Sequence, residues 1–329
     1  MKKKLLSVLL IGAMAASMLA GCGDNKSAGN GDKTYNIGIC QLVEHPALDA
    51  ATEGFQDALK DKLGDKVTFD VQNAQNEQPV CATICNGFVS DKVDLILANA
   101  TSPLQSAASA TTQIPILGTS VTDYATALEI KDWKGSTGRN ISGTSDLAPI
   151  AEQENMLLEL FPDVKQVGLL YCTAEPNSLY QVQLFGEALK ADGIAYKEYG
   201  IADSNEVQSV VTAAIADCDV LYIPTDNTLA SCTETVYNIV NPAKVPVIAG
   251  EEGICGGTAD NKGCGVATLS ISYYDIGYTT GEMAYEILVE GKDISTMDVR
   301  FAPNVTKKYN VQACKDLGIT VPDDYVAIE

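Results

Sequence analysis

The sequence predicts an α/β protein of two similar lobes, each a parallel sheet with helices on both faces. Short apolar runs rich in β-branched residues alternate with longer amphipathic segments, the pattern of strands buried on both sides by crossover helices. A strand-helix unit near the start recurs 130 residues later. Past the N-terminal leader about 300 residues remain, more than one hydrophobic core usually holds.

The leader comes first. Lys2, Lys3 and Lys4 precede the apolar run LLSVLLIGAMAASML, and small residues lead to Ala20, Gly21 and Cys22. A basic start, an apolar middle and a small-residue cleavage site make residues 1–21 a secretory signal, too short for a stable membrane span. The ending Leu19, Ala20, Gly21, Cys22 resembles the bacterial lipobox, which implies lipid attachment at Cys22 and an extracytoplasmic, membrane-anchored location. The polar, Gly-rich residues 22–34 then read as a flexible tether.

YNIGICQLV (35–43) is a strand candidate, followed by a helical stretch at 47–60; QVGLLYC (166–172) and SLYQVQLFGEALK (178–190) repeat the pair. In register, Gly38 meets Gly168, Pro46 meets Pro176, Phe55 meets Phe185, and the triplet at 58–60 meets that at 188–190. The echo continues with looser spacing. VDLILANATSPLQSA (93–107) is answered by CDVLYIPTDNTLAS (218–231), and IPILGTS (114–120) by VPVIAGE (245–251). Pro46 and Pro176 read as helix starters, because a proline in the first turn pre-sets φ and loses no needed hydrogen bond.

Charge narrows the partners. The formal net charge is -21, and loss of the signal, with its three lysines and no acid, makes it -24. Such a body is repelled by phosphate backbones and anionic lipid, so nucleic acid is excluded and the membrane is met through the lipid alone. Beyond Cys22 there are nine cysteines. Cys255 and Cys264, flanking the turn GGTADNKG, are the expected disulfide, while Cys81 and Cys85, four apart on one helix face, read as small buried hydrophobes rather than a metal pair. No cofactor or metal is implied.

His45 is the only histidine. No GxSxG elbow, HExxH, P-loop or CxxC motif accompanies it, so catalysis is not expected and a ligand-facing place on the rim of one lobe is. In an open α/β sheet the ligand lies beyond the carboxyl ends of the strands. The first lobe puts Gln41, His45, Thr101, Ser102, Thr119 and Ser120 there, a hydroxyl-rich set at helix starts that suits an anion. The second lobe puts Asn177, Ser178, Thr225, Asp226, Asn227 and Glu251 there, with acids suited to an ammonium. Together they describe a zwitterion. The competing reading of these Ser, Thr, Asp and Asn residues is as helix N-caps. Tyr124, Tyr171, Tyr180 and Tyr222 are candidates for a side-chain pocket or for core.

The stretches GICQLVEHPALDAATEGFQDAL, NATSPLQSA, GTSVTD, EPNS, PTDNTLAS and PVIAGEEG resemble the ABC substrate-binding family that includes tryptophan- and phenylalanine-binding lipoproteins, over nearly the whole mature chain. The resemblance implies the type I periplasmic-binding fold, with three crossings at a hinge near residues 143–146, 268–272 and 297–302. Lobe one is then 35–143 plus 272–296, and lobe two 144–271 plus 297–329. It further implies a monomer that closes its lobes around an amino acid and delivers it to an ABC permease and its ATPase. A sensing lipoprotein, or the same fold holding a sugar or nucleoside, is the alternative. Tyr124 departs from the family, which tends to have proline there.

Overall fold

The computed structural model describes residues 33–258, 262–302 and 304–328; the expected signal, Cys22 and most of the tether lie outside them. No helix of the described residues is long and apolar enough to cross a membrane.

The first lobe opens with β1 (Tyr35–Gln41), α1 (Pro46–Leu63) and β2 (Val67–Asn73), followed by α2 (Gln78–Asp91), β3 (Leu95–Asn99), α3 (Thr101–Ala110), β4 (Ile116–Val121), α4 (Tyr124–Ala127) and β5 (Ile141–Ser145). The second runs α5 (Ile150–Leu160), β6 (Gln166–Cys172), α6 (Pro176–Ala191), β7 (Ala195–Ile201), α7 (Val207–Asp217), β8 (Val220–Ile223), α8 (Asn227–Ala230), α9 (Thr233–Ala243), β9 (Val247–Ala249), α10 (Glu252–Gly256) and β10 (Ala267–Ser270). The chain then returns as α11 (Tyr273–Leu288) and β11 (Arg300–Phe301), and finishes with β12 (Thr306–Tyr309), α12 (Val311–Leu317) and β13 (Val326–Ala327).

Sheet order makes the duplication explicit. The first sheet runs β11-β5-β4-β3-β1-β2 and the second β13-β12-β10-β9-β8-β6-β7. Stripped of the late strands, both place their five strands in the order 2-1-3-4-5, all parallel. The repeated proline occupies the first turn of α1 and of α6. The repeated phenylalanines, Phe55 and Phe185, are fully buried in their respective cores.

The third crossing lies later than expected. β11 pairs in parallel with β5, and Met297 and Val299 are buried in the first lobe's apolar clusters. Residues 297–301 therefore belong to lobe one, as do Thr144 and Ser145 at the end of β5. Burial of those apolar side chains ties to the first lobe a segment in which the family resemblance implied a crossing.

α11 packs along α1 at backbone distance. A Cβ at Gly277 would stand 2.0 Å from the Ala51 carbonyl oxygen, so only glycine permits this crossing. Under β4 and β5, Tyr124 fills the space left by Gly118 and Gly143, and its hydroxyl donates to the Thr144 carbonyl at 3.1 Å. Gly143 has φ of 144°, and a Cβ there would meet the Tyr124 hydroxyl at 2.4 Å. Tyr124 is core, and its place in the sequence beside a cleft loop reflects its role as first residue of α4.

Cys81 and Cys85 are buried with Cys40 in the first lobe's core. The expected Cys255–Cys264 disulfide is absent: both are free and buried in the second core, and the Cys264 thiol donates to the Ile254 carbonyl at 3.6 Å.

Candidate ligand site between the lobes

A small enclosed cavity lies where the carboxyl ends of the two sheets face each other. Its lining includes His45, Leu48, Ser120, Thr122 and Asp146 from the first lobe and its hinge, and Asn177, Thr225, Asp226, Asn227, Ala230 and Glu251 from the second, with Tyr273 at the return crossing. Its free volume is about 10 Å³, room for about one water molecule.

Three buried polar atoms on this lining have no hydrogen-bond partner: His45 Nδ1, Ser120 Oγ and Asp146 Oδ1. A buried polar atom without a partner is costly, and the convergence of three such atoms on one cavity makes it the candidate ligand site. Each is held there by a specific local device. Ser120 sits at φ 54°, within a register shift between Gly118 and Val121 in the β4–β5 ladder; the bulge turns its hydroxyl out of the strand pattern and into the cavity. Asp146 follows β5 directly and is 4 % exposed; its Oδ2 accepts the Tyr273 hydroxyl at 2.9 Å. Burial raises its pKa above the ordinary carboxylate value, against the opposing effects of Tyr273 and of the neighbouring Thr122 hydroxyl, which lies outside hydrogen-bond geometry to Oδ1. His45 is the residue before α1, and burial pushes its pKa down.

The acids expected to hold an ammonium are occupied otherwise. Asp226 caps α8: Oδ1 accepts Leu229 N at 2.9 Å, and Oδ2 accepts Cys172 N at 2.6 Å and Ser178 Oγ at 2.8 Å. Burial and the neighbouring charge of Glu175 push it up to about 8. Glu251 caps α10 through Gly253 N and Ile254 N, both at 2.6 Å, and burial pushes it up to about 7. Their oxygens serve the fold, as the N-cap reading has it. The free carboxylate oxygen belongs to Asp146, which sequence reasoning placed only at a hinge.

The sequence of the family described as ABC transporter substrate binding protein matches residues 36–328. The chain belongs to this family. A curated relative, the "Tyrosine-binding protein" of Clostridioides difficile (strain R20291), is 40 % identical over 308 residues, 90 % of this chain and 87 % of that one. Among solved structures, the ABC domain from Streptococcus pneumonia in complex with L-Trp is 31 % identical with a TM-score of 0.80, covering 88 % of this chain and 97 % of that one. The ligand-free, open structure of a substrate-binding protein with adhesive properties from Clostridium difficile is 39 % identical, covers 90 % of this chain and all of that one, and has a TM-score of 0.67. The less similar sequence thus has the more similar shape.

Its other expected site residues divide cleanly. His45, Ser120, Asn177, Thr225, Asp226, Asn227 and Glu251 reach the cavity. Gln41, Thr101, Ser102, Thr119 and Ser178 do not line it. Gln41 is turned to Thr52 and Asp49, accepting from one at 2.6 Å and donating to the other at 2.6 Å. Thr119 accepts from the Thr144 hydroxyl at 3.2 Å inside the sheet, and Ser178 holds Asp226. Thr101 and Ser102 open α3, away from the cavity lining. Of the four tyrosines singled out, none lines it: Tyr124 is core, Tyr222 stacks on Phe185 at 3.7 Å, Tyr171 donates to Glu198, and Tyr180 lies half-buried on α6. Leu48, Thr122, Asp146, Ala230 and Tyr273 were missed. For Asp146 the available signal was an acid placed straight after a buried strand, ISGTS.

Proposed function

We propose that this substrate-binding protein is the extracytoplasmic, Cys22-lipidated receptor of an ABC importer, a monomer that closes its lobes on an amino acid and presents it to a permease and its ATPase. One observation carries the ligand reading: a buried carboxylate, Asp146, with one oxygen fixed by Tyr273 and the other bare toward the cavity. An ammonium group there supplies the missing donor and the compensating charge. The Ser120 hydroxyl, together with the beginning of α6 at Asn177, gives the carboxylate of the same ligand a donor and a positive helix end. The relatives named for tyrosine and crystallised with L-Trp support aromatic amino acids as the first probes.

The two lobes contribute to one cavity, which at about 10 Å³ must widen by a movement of the lobes to admit an amino acid; a ligand that then contacts both lobes favours closure around it, and no bond is made or broken. A thermal-shift and calorimetric panel of the common amino acids, sugars and nucleosides tests this. A bound amino acid at a hundred times its dissociation constant raises stability by about 2.7 kcal/mol. Stabilisation by a sugar or nucleoside, and by no amino acid, overturns it.

A further inference from the structure

Two hydrogen bonds cross from lobe to lobe. His45 Nε2 meets Asn227 Oδ1 at 3.2 Å, and Asn76 Nδ2 donates to Thr228 Oγ1 at 2.9 Å. Both partners in the second lobe are gripped by one buried side chain, Glu175, which is 5 % exposed. Its Oε2 accepts Asn227 N at 3.0 Å and Asn227 Nδ2 at 2.6 Å, along with Asn177 Nδ2 at 3.1 Å. Its Oε1 accepts Thr228 N and the Thr228 hydroxyl, each at 2.8 Å.

These contacts fix the polarity of the crossing. A carboxylate ringed by five donors only accepts, so the NH₂ of Asn227 must face Glu175 and its carbonyl oxygen must face His45. The Thr228 hydroxyl has one proton and gives it to Glu175, so toward Asn76 it can only accept. The second lobe therefore offers two acceptors, and the first lobe answers with two donors. From the duplication, Glu175 is the counterpart of His45 itself: each precedes the proline of the first helix in its lobe.

We propose that Glu175 is the positioning residue for lobe closure: it touches no ligand, but by orienting Asn227 and Thr228 it makes both lobe-to-lobe bonds possible. A consequence for recognition follows, resting on the reading of the cavity as the ligand site. Because Nε2 carries the proton given to Asn227, His45 Nδ1 presents a bare lone pair to the cavity, buried and unpartnered. The ligand must bring a donor to that atom, as an ammonium or a hydroxyl does.

The single histidine makes the test unambiguous. In the ¹⁵N-histidine-labelled protein, the closed form of the wild type shows the Nε2–H tautomer. Glu175→Gln, which replaces an acceptor by an amide donor, shifts the tautomer balance toward Nδ1–H and lowers the closed-to-open ratio about tenfold, measured in the free protein from spin labels placed one on each lobe. Asn76→Ala lowers that ratio too, and the two substitutions add, because the remaining Gln oxygen still accepts from Thr228 and leaves the Asn76 bond intact while the His45–Asn227 bond is lost. The proposal is overturned by an Nδ1–H tautomer in the closed wild type, by a wild type with no closed population, or by a Glu175→Gln variant whose tautomer and closed-to-open ratio equal those of the wild type. Should Glu175→Gln fail to fold, the wild-type tautomer and the Asn76→Ala ratio still decide, a ratio equal to wild type counting against it. None of these readouts needs a ligand, so failure of an amino acid to bind would strike the ligand assignment and leave this result standing.

Discussion

Replacing Asp146 by asparagine separates ligand binding from stability. The Asp146 carboxylate is buried, has one unpartnered oxygen, and carries a raised pKa because burial disfavours its charge. Asparagine keeps the shape and the acceptor for the Tyr273 hydroxyl but removes the charge, so the free protein should melt at the wild-type temperature or above it. Binding changes the other way. Loss of one partner of a buried, hydrogen-bonded charge pair costs about 2–5 kcal/mol, a weakening of roughly 30-fold to 5,000-fold for the amino acid. Calorimetric titration of the ligand against both proteins, with a melting curve of each free form, gives the two quantities. The pH dependence adds a sign. Only ionised Asp146 holds an ammonium, so wild-type affinity falls as pH drops through its raised pKa, and that component vanishes in the variant. Affinity within about threefold of wild type, with or without a change in melting, refutes the assignment of the ammonium to Asp146.

The cap acids should behave in the opposite manner. Asp226→Ala strands Cys172 N, Leu229 N and Ser178, and is expected to destabilise the free protein by about 2–4 kcal/mol in denaturant titration, from a lost cap and unpaired buried donors. Tyr124→Phe removes the hydrogen bond to the Thr144 carbonyl, costing about 1 kcal/mol of stability while leaving ligand affinity unchanged by calorimetry. His45, held below its ordinary pKa by burial, is neutral when the lobes are closed; protonation in the open form draws molecules away from closure as pH falls below about 6.5. This component of ligand affinity should therefore be full above that pH and decline below it, and His45→Gln should remove it while leaving the component that belongs to Asp146. Among the described cysteines only Cys232 is more than slightly exposed, so brief alkylation of the native protein followed by mass spectrometry should mark Cys232 and find Cys255 and Cys264 as protected thiols that react once the chain is unfolded.

What the sequence made legible was whatever one local rule decides. Pro46 and Pro176 announce helix starts because a fixed φ suits the first turn, and Phe55 and Phe185 announce equivalent core positions because each lobe is one copy of the same unit. The general position of the cavity follows from where parallel strands end. The role of each acid at those ends does not, because a cap and a ligand contact call for the same residue type before the same kind of helix. Asp226 caps α8 through the local Leu229 N, and its second oxygen is taken by donors that folding brings from 48 and 54 residues away, at Ser178 and Cys172. Asp146 was left with a bare oxygen because no helix N-terminus follows close enough to claim it. The third crossing was placed by the family resemblance and not by a local rule, and only the burial of Met297 and Val299 in the first lobe's clusters ties its residues to that lobe. Even the one histidine was half legible. Its counterpart in the repeat, Glu175, could be named by counting residues, yet that the two positions meet through Asn227 is a property of two lobes brought face to face, and no periodicity along a single chain encodes it.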